Sequence, residues 1–261
     1  MKVLSLALLL LLQGSICLAA IKTEVINYKE GKTELEGHLA YDDSMKGPRP
    51  AVIIIHQWKG LSDYEKMRAQ QLAEKGYVVL AADIYGKGVR PTAMEDAKTV
   101  SDQYKNDIPK YRLRVKAAID EIVKNKMVNP KMVVVMGYCF GGVGALEAAR
   151  MNFQVVGAVS FHGGLTTPSP AMTKTVRPKI LVLHGAIDPN VPMKDVEAFM
   201  KEMNDAKADY QFIAYSGAVH AFTDKNAGND PAKGVAYNEA ADRRSWRHFM
   251  DFLDEVAPVV K

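Results

Sequence analysis

The stretch from Val133 to Gly142, V-V-V-M-G-Y-C-F-G-G, constrains this chain more than any other. An apolar, largely β-branched run reads as a buried strand. It enters a turn with small residues on both sides of Cys139, and the helical pattern from Gly144 to Arg150 follows. Strand, tight turn and helix around one nucleophile form the elbow G-x-S-x-G, here with cysteine in place of serine. An elbow residue sits in a strained turn, so Gly137 and Gly141 leave room for backbone that a side chain would obstruct. Cys139 would stand at a helix N-terminus, where free N–H groups and the helix dipole favour a thiolate. On the local pattern alone, an inert cysteine after a core strand is the alternative.

The cysteine count sharpens the choice. The chain has two cysteines, Cys17 and Cys139. Lys2, an apolar run from Val3 to Leu12 and the small residues up to Ala20 are the parts of a secretory signal. The best cleavage point follows Ala19, so residues 1–19 read as signal peptide and 20–261 as one domain. The apolar run is short for a membrane span, and Ile16 before Cys17 argues against lipidation, so no stable membrane anchor is expected. Cys17 leaves with the signal, and an exported chain with one unpaired thiol needs a reason for it. Nucleophilic catalysis is such a reason. The signal and charge point to export, with a bacterial periplasm as the best fit.

A length of 261 residues suits one α/β domain with a sizeable core. The formal charge of +4 is spread along the chain, which gives nucleic-acid binding no electrostatic support. Thr23–Tyr28 and Thr33–Tyr41 alternate around Glu30-Gly31-Lys32, a hairpin signal for one sheet edge. Buried strands are expected at Ala51–Ile55, Tyr77–Ala82, the elbow, Val155–Phe161, Ile180–Leu183 and Tyr210–Tyr215. Helices are expected at Tyr64–Glu74, within the polar cap Lys87–Asn106, and at Tyr111–Lys124 with Leu113, Ala117, Ile119 and Ile122 inward. Two more are expected at Met193–Met203 and Val235–Val256. Strands alternating with helices throughout predict a doubly wound, mostly parallel sheet with helices on both faces.

In that sheet a site lies beyond the carboxyl ends of the strands. Cys139, Asp188 and His220 each follow a predicted strand, in the order nucleophile, acid, histidine. Cys139 would attack a carbonyl carbon, His220 would accept and return protons, and Asp188 would orient the imidazole. Backbone N–H groups of Phe140 and Trp58 are the expected oxyanion hole. The alternatives are an Asp188 that only starts the helix near Met193 and a His220 that is a surface loop residue. His56, His162 and His184 read as residues that fix loops, and His38 and His248 as surface or structural. No histidine pair has metal-ligand spacing and the glycines build no phosphate cradle, so neither metal nor cofactor is expected.

The segments Gly137–Gly142, His184–Asp188 and Tyr215–Phe222 together resemble the dienelactone hydrolase family. Asp83-Ile84-Tyr85-Gly86 and Ala240–Trp246 match exported bacterial members. The resemblance covers essentially the whole mature chain and implies a cofactor-free α/β-hydrolase fold whose Cys-Asp-His triad acts on small-molecule esters or lactones. Two departures narrow it. Where well-known members carry a glutamate before the second oxyanion-hole residue, this chain has Gln57. Where they carry an arginine four residues after the histidine, it has Asp224, which would repel a substrate carboxylate. Gln57, Tyr85 and Arg90 are the expected substrate contacts, with Arg90 able to compensate for the lost arginine. A neutral ester, lactone or thioester fits at least as well as dienelactone. The reading from another class is a non-catalytic fold that binds a ligand or senses oxidants through Cys139. Oligomeric state is not legible.

Overall fold

The computed structural model describes residues 21–168, 170 and 175–260. The expected signal peptide lies outside these residues. Strands β3 (Arg49–Ile55), β4 (Val78–Ala82), β5 (Val128–Tyr138), β6 (Gly157–Phe161), β7 (Lys179–Gly185) and β8 (Tyr210–Tyr215) run parallel. The hairpin of β1 (Ile21–Glu30) and β2 (Thr33–Asp42) adds two antiparallel strands at one edge. The sheet order is β1-β2-β4-β3-β5-β6-β7-β8. This is the doubly wound, single-domain sheet that the alternating pattern predicts.

The central strands are apolar on both faces because both faces are covered. Ile53, Ile55, Val133 and Val135 enter one core with residues of α3 (Ile108–Ile122) and α4 (Phe140–Arg150). Their neighbours Val52, Ile54, Val134 and Met136 enter the opposite core with residues of α1 (Asp63–Ala73) and α6 (Glu239–Val256). Period-two alternation therefore sorts one continuous apolar run between two layers. Each fully buried Ile or Val contributes roughly 1.5–3 kcal/mol relative to exposure. A third cluster joins β7 to α5 (Met193–Asp205) through Ile180, Val182, Val196 and Phe199. The cap segment holds α2 (Met94–Lys105).

Three sequence expectations shift. Leu113 is 52% exposed, whereas Ile119 and Ile122 are buried as expected, together with Ile108, Tyr111, Val115 and Ala118. Arg112 and Arg114 also lie on the buried side, held by Glu147 at 2.7 Å and Glu30 at 2.6 Å. The two paired arginines flank Leu113 and take the buried positions on either side of it. The last helix starts at Glu239, capped by Asn238, and not at Val235. Val235 pairs with the backbone of His220. Finally, β5 begins at Val128, with a register shift opposite Arg49–Ala51. Pro130 lies in the stretch that the shift skips, consistent with its missing N–H.

Candidate active site

Cys139 joins β5 to α4 with φ 53° and ψ −114°, a backbone conformation that costs a non-glycine residue about 1–3 kcal/mol. Its surroundings hold it there. Its N–H donates to Phe161 O at 3.0 Å, and its carbonyl accepts from Gly142 N–H at 3.1 Å. A Cβ on Gly137 would overlap the Gly141 carbonyl, and one on Gly141 would overlap the Ile55 carbonyl. The elbow glycines thus serve close backbone approach, as the sequence indicates. The Phe140 N–H, next in the chain, favours the ionised form of the cysteine sulfur.

Asp188 lies in the turn after β7, where its N–H donates to Gly185 O at 3.0 Å. Its Oδ1 accepts from Asn190 N–H at 2.8 Å. Pro192 is the N-cap of α5, so Asp188 does not start that helix. His220 follows β8 in a loop braced from outside: its N–H donates to Gly234 O at 3.2 Å and its carbonyl accepts from Ala236 N–H at 3.1 Å. The imidazole bridges the other two residues. Its Nδ1 is 2.9 Å from Asp188 Oδ2 and its Nε2 is 3.0 Å from Cys139 Sγ. Three segments far apart in sequence meet because β5, β6, β7 and β8 are parallel neighbours with their carboxyl ends on one side.

The electrostatics favour separated charge. Burial opposes ionisation of both partners. For Cys139 it is outweighed by the charge and hydrogen bond of His220 and by the Phe140 N–H, so the thiol sits below its ordinary value. For His220 burial is outweighed by Cys139 and Asp188, which push the imidazole up to about 10. Both shifts favour moving the thiol proton to the imidazole, and the two groups titrate as a pair. Alkylation of Cys139 by iodoacetamide should stay fast well below the ordinary thiol range and slow only as acid protonates the pair. Any turnover that needs the His220 proton should fall as pH rises through about 10. An alkylation profile centred on an ordinary free thiol would contradict this ion pair.

The loop after β3 starts against the elbow, where the Ile55 and His56 carbonyls lie beside Gly141, and carries Trp58 onto the core that holds Phe140. The Gln57 carbonyl accepts from Gly60 N–H at 3.1 Å and lies 2.6 Å from His56 Nδ1. His56 Nε2 accepts from Ile84 N–H at 3.2 Å, so the proton belongs on Nδ1. Burial holds this ring neutral, with its pKa lowered to about 4. In a trans peptide the C=O and N–H point in opposite directions. Fixing the Gln57 carbonyl therefore fixes the Trp58 N–H, the expected second oxyanion donor. Tyr85 Oη donates to the Trp58 carbonyl at 2.8 Å. Tyr85 is buried, with its ring 5.3 Å from that of Phe140. It braces this loop, and its hydroxyl is already engaged.

The other expected substrate contacts divide. Arg90 directs its guanidinium at Val89 O (2.8 Å), Gly86 O (3.2 Å), Glu36 O (3.3 Å) and Asp83 Oδ1 (3.4 Å). These bonds commit it to the loop after β4. Gln57 Nε2 reaches Asp224 Oδ2 at 3.5 Å, so the two departures noted in the sequence face each other. Among the described residues no group of three or more acidic, histidine or cysteine side chains could hold a metal, and no helix is long and apolar enough to cross a membrane.

The sequence model of the dienelactone hydrolase family matches residues 35–257. The chain belongs to the dienelactone hydrolase family. It is similar to the solved structure of P91, a dienelactone hydrolase-like promiscuous phosphotriesterase from metagenomic libraries. The identity is 33%, over 91% of this chain and 99% of that one, with a TM-score of 0.87. It is similar to the structure m3DLH at 35% identity over the same shares, again with a TM-score of 0.87. A Bradyrhizobium protein named "Probable 2-oxo-3-(5-oxofuran-2-ylidene)propanoate lactonase" is 29% identical over 90% of this chain and 96% of its own length. These relatives and the sheet topology identify the α/β-hydrolase fold.

In this dienelactone hydrolase family member, two supports of the site escaped the sequence reading. Glu65 is fully buried, taking Gln57 N–H at 3.1 Å on Oε1 and Ser62 N–H at 2.9 Å on Oε2. It fastens the Trp58 loop to the start of α1. Its sequence signal was present: Ser62 and Glu65 form a capping box. Thr223 is the other, and no sequence pattern announces it. Its Oγ1 is 2.8 Å from His162 Nε2, and Tyr64 Oη donates to it at 2.8 Å. The late Ala240–Trp246 motif is structural, since Asp242 binds Arg68 at 2.7 Å and the Trp246 ring lies 4.9 Å from that guanidinium.

Proposed function

We propose that the chain hydrolyses carboxylic esters or lactones through a thioester on Cys139. The observation that carries this reading is the His220 imidazole spanning Asp188 Oδ2 and Cys139 Sγ at 2.9 and 3.0 Å. The Cys139 thiolate adds to the carbonyl carbon, forming a C–S bond and moving the carbonyl electron pair onto oxygen. N–H groups of Phe140 and Trp58 stabilise that oxyanion. Its collapse breaks the C–O bond, and His220 Nε2 gives its proton to the departing alkoxide. In a lactone the alkoxide stays attached to the acyl chain. Water then loses a proton to His220 and adds to the thioester. The C–S bond breaks, the acid leaves and the thiolate returns. Asp188 holds the imidazole by Nδ1 throughout. The carboxylate of Asp224, which takes the Asn226 N–H at 2.9 Å on Oδ1 and the Gln57 amide at 3.5 Å on Oδ2, favours substrates without a negative charge on that side.

The test is turnover of p-nitrophenyl acetate by the protein with and without iodoacetamide, followed by intact mass. The expected result is loss of turnover together with one alkyl adduct on Cys139. Full turnover in the alkylated protein overturns the cysteine mechanism. No turnover of any ester or lactone, with a readily alkylated thiol, would favour a ligand-binding or thiol-sensing role.

A further inference from the structure

We infer that Thr223 is a positioning residue for His220, acting through a buried hydrogen-bond chain that ends on His162. This inference rests on the proposed role of His220 as the base for Cys139. The chain has one direction. Arg68 can only donate, and its Nε meets Tyr64 Oη at 3.3 Å. Tyr64 passes its own proton to Thr223 Oγ1 at 2.8 Å. The threonine hydroxyl is then free to donate to His162 Nε2 at 2.8 Å. This assignment leaves one buried group, His162 Nδ1, without a partner. Reversing the last bond strands the hydroxyl proton as well. The Arg68 end is anchored on Asp242 at 2.7 Å, and Arg68 Nη2 also reaches the Thr223 carbonyl at 3.5 Å.

His162 is buried and stands edge-on to the His220 ring, with centroids 5.4 Å apart and planes at 64°. It has φ 41°, so backbone strain is spent to place it there. Burial, and then the charge of His220, keep it neutral. Thr223 lies three residues after His220, while the backbone of His220 itself is fastened to Gly234 and Ala236. The histidine loop is thus gripped at both ends, and the neutral ring of His162 forms a wall that stops the catalytic imidazole from swinging off the Asp188–Cys139 line. The titratable and charged groups facing these two imidazoles are Cys139, Asp188, His184, Arg68 and Tyr138.

Thr223→Val keeps the shape and removes both hydrogen-bonding roles. The test measures kcat, KM, melting temperature and the pH dependence of Cys139 alkylation in this variant and in Thr223→Ser. Loss of one such bond, about 1–1.5 kcal/mol, corresponds to a roughly tenfold change in rate. The expected result is a kcat about tenfold lower with KM unchanged, and alkylation shifted toward higher pH. Thr223→Ser should restore both. A lower melting temperature with wild-type kcat and an unshifted alkylation profile overturns the inference and leaves a structural role only. Should Thr223→Val not fold, Tyr64→Phe cuts the chain one bond earlier, and an unshifted profile in that variant overturns it equally. Failure of the underlying reading looks different: the wild-type protein itself would then alkylate like an ordinary thiol.

Discussion

Cys139→Ala should lower turnover by a factor on the order of a million, the scale of nucleophile loss in a triad that works as one unit. The substitution leaves the oxyanion donors in place, so a small residual rate over solution hydrolysis should persist. Alanine tolerates the backbone geometry at 139 about as well as cysteine does, so the melting temperature should change little. Loss of activity with an intact fold is the diagnostic combination, read by steady-state kinetics beside thermal unfolding. Wild-type turnover in this variant would falsify the thioester mechanism. Cys139→Ser should also be poor. A serine hydroxyl does not ionise in the range where the thiol does, so the ion pair that raises His220 disappears with the sulfur.

Asp188→Asn should reduce kcat by about 10⁴, the size of effect expected when a triad imidazole is held in the wrong tautomer. The Asp188 carboxylate accepts a hydrogen bond from His220 Nδ1 at 2.9 Å. An amide at that position can present its NH₂ group instead. Nδ1 would then become the acceptor, and the ring proton would move to Nε2, aimed at Cys139. The variant should also lose much of the elevation of the His220 pKa. Alkylation of Cys139 across pH should therefore shift toward the range of an ordinary thiol, alongside the fall in kcat. Unchanged kcat in a folded Asp188→Asn protein would remove Asp188 from the mechanism.

The parts of the candidate site whose chemistry is local were legible in the sequence. A β-branched strand ending in small residues around a cysteine has few other uses, and the order of Cys139, Asp188 and His220 along the chain placed all three at strand ends. It was a poorer guide where partners lie far apart. Arg112 and Arg114 resemble a solvent face until Glu147 and Glu30 meet them, and Leu113 between them faces solvent although Ile119 and Ile122 point inward as expected. Val235 looks like the first apolar residue of a helix, yet it serves as a backbone partner for His220. Tyr85 and Arg90 were placed near the right loop, but their polar atoms brace backbone in this structure. Thr223 has no pattern of its own, because its significance comes from His162, Tyr64 and Arg68, which approach from two other elements.

The reactive thiol is also a clock for refolding. Cys139 belongs to β5 and the start of α4, whereas the imidazole that ionises it arrives with the loop after β8. A chain that has formed the elbow without docking β8 carries a cysteine that lacks its imidazole partner. Only closure of a contact 81 residues apart in sequence brings the His220 charge and hydrogen bond that lower its pKa. Long-range closure of this kind is slow compared with local helix and turn formation. The rate at which alkylation accelerates during refolding would therefore time the assembly of the last third of the sheet, using a probe already present in the native sequence.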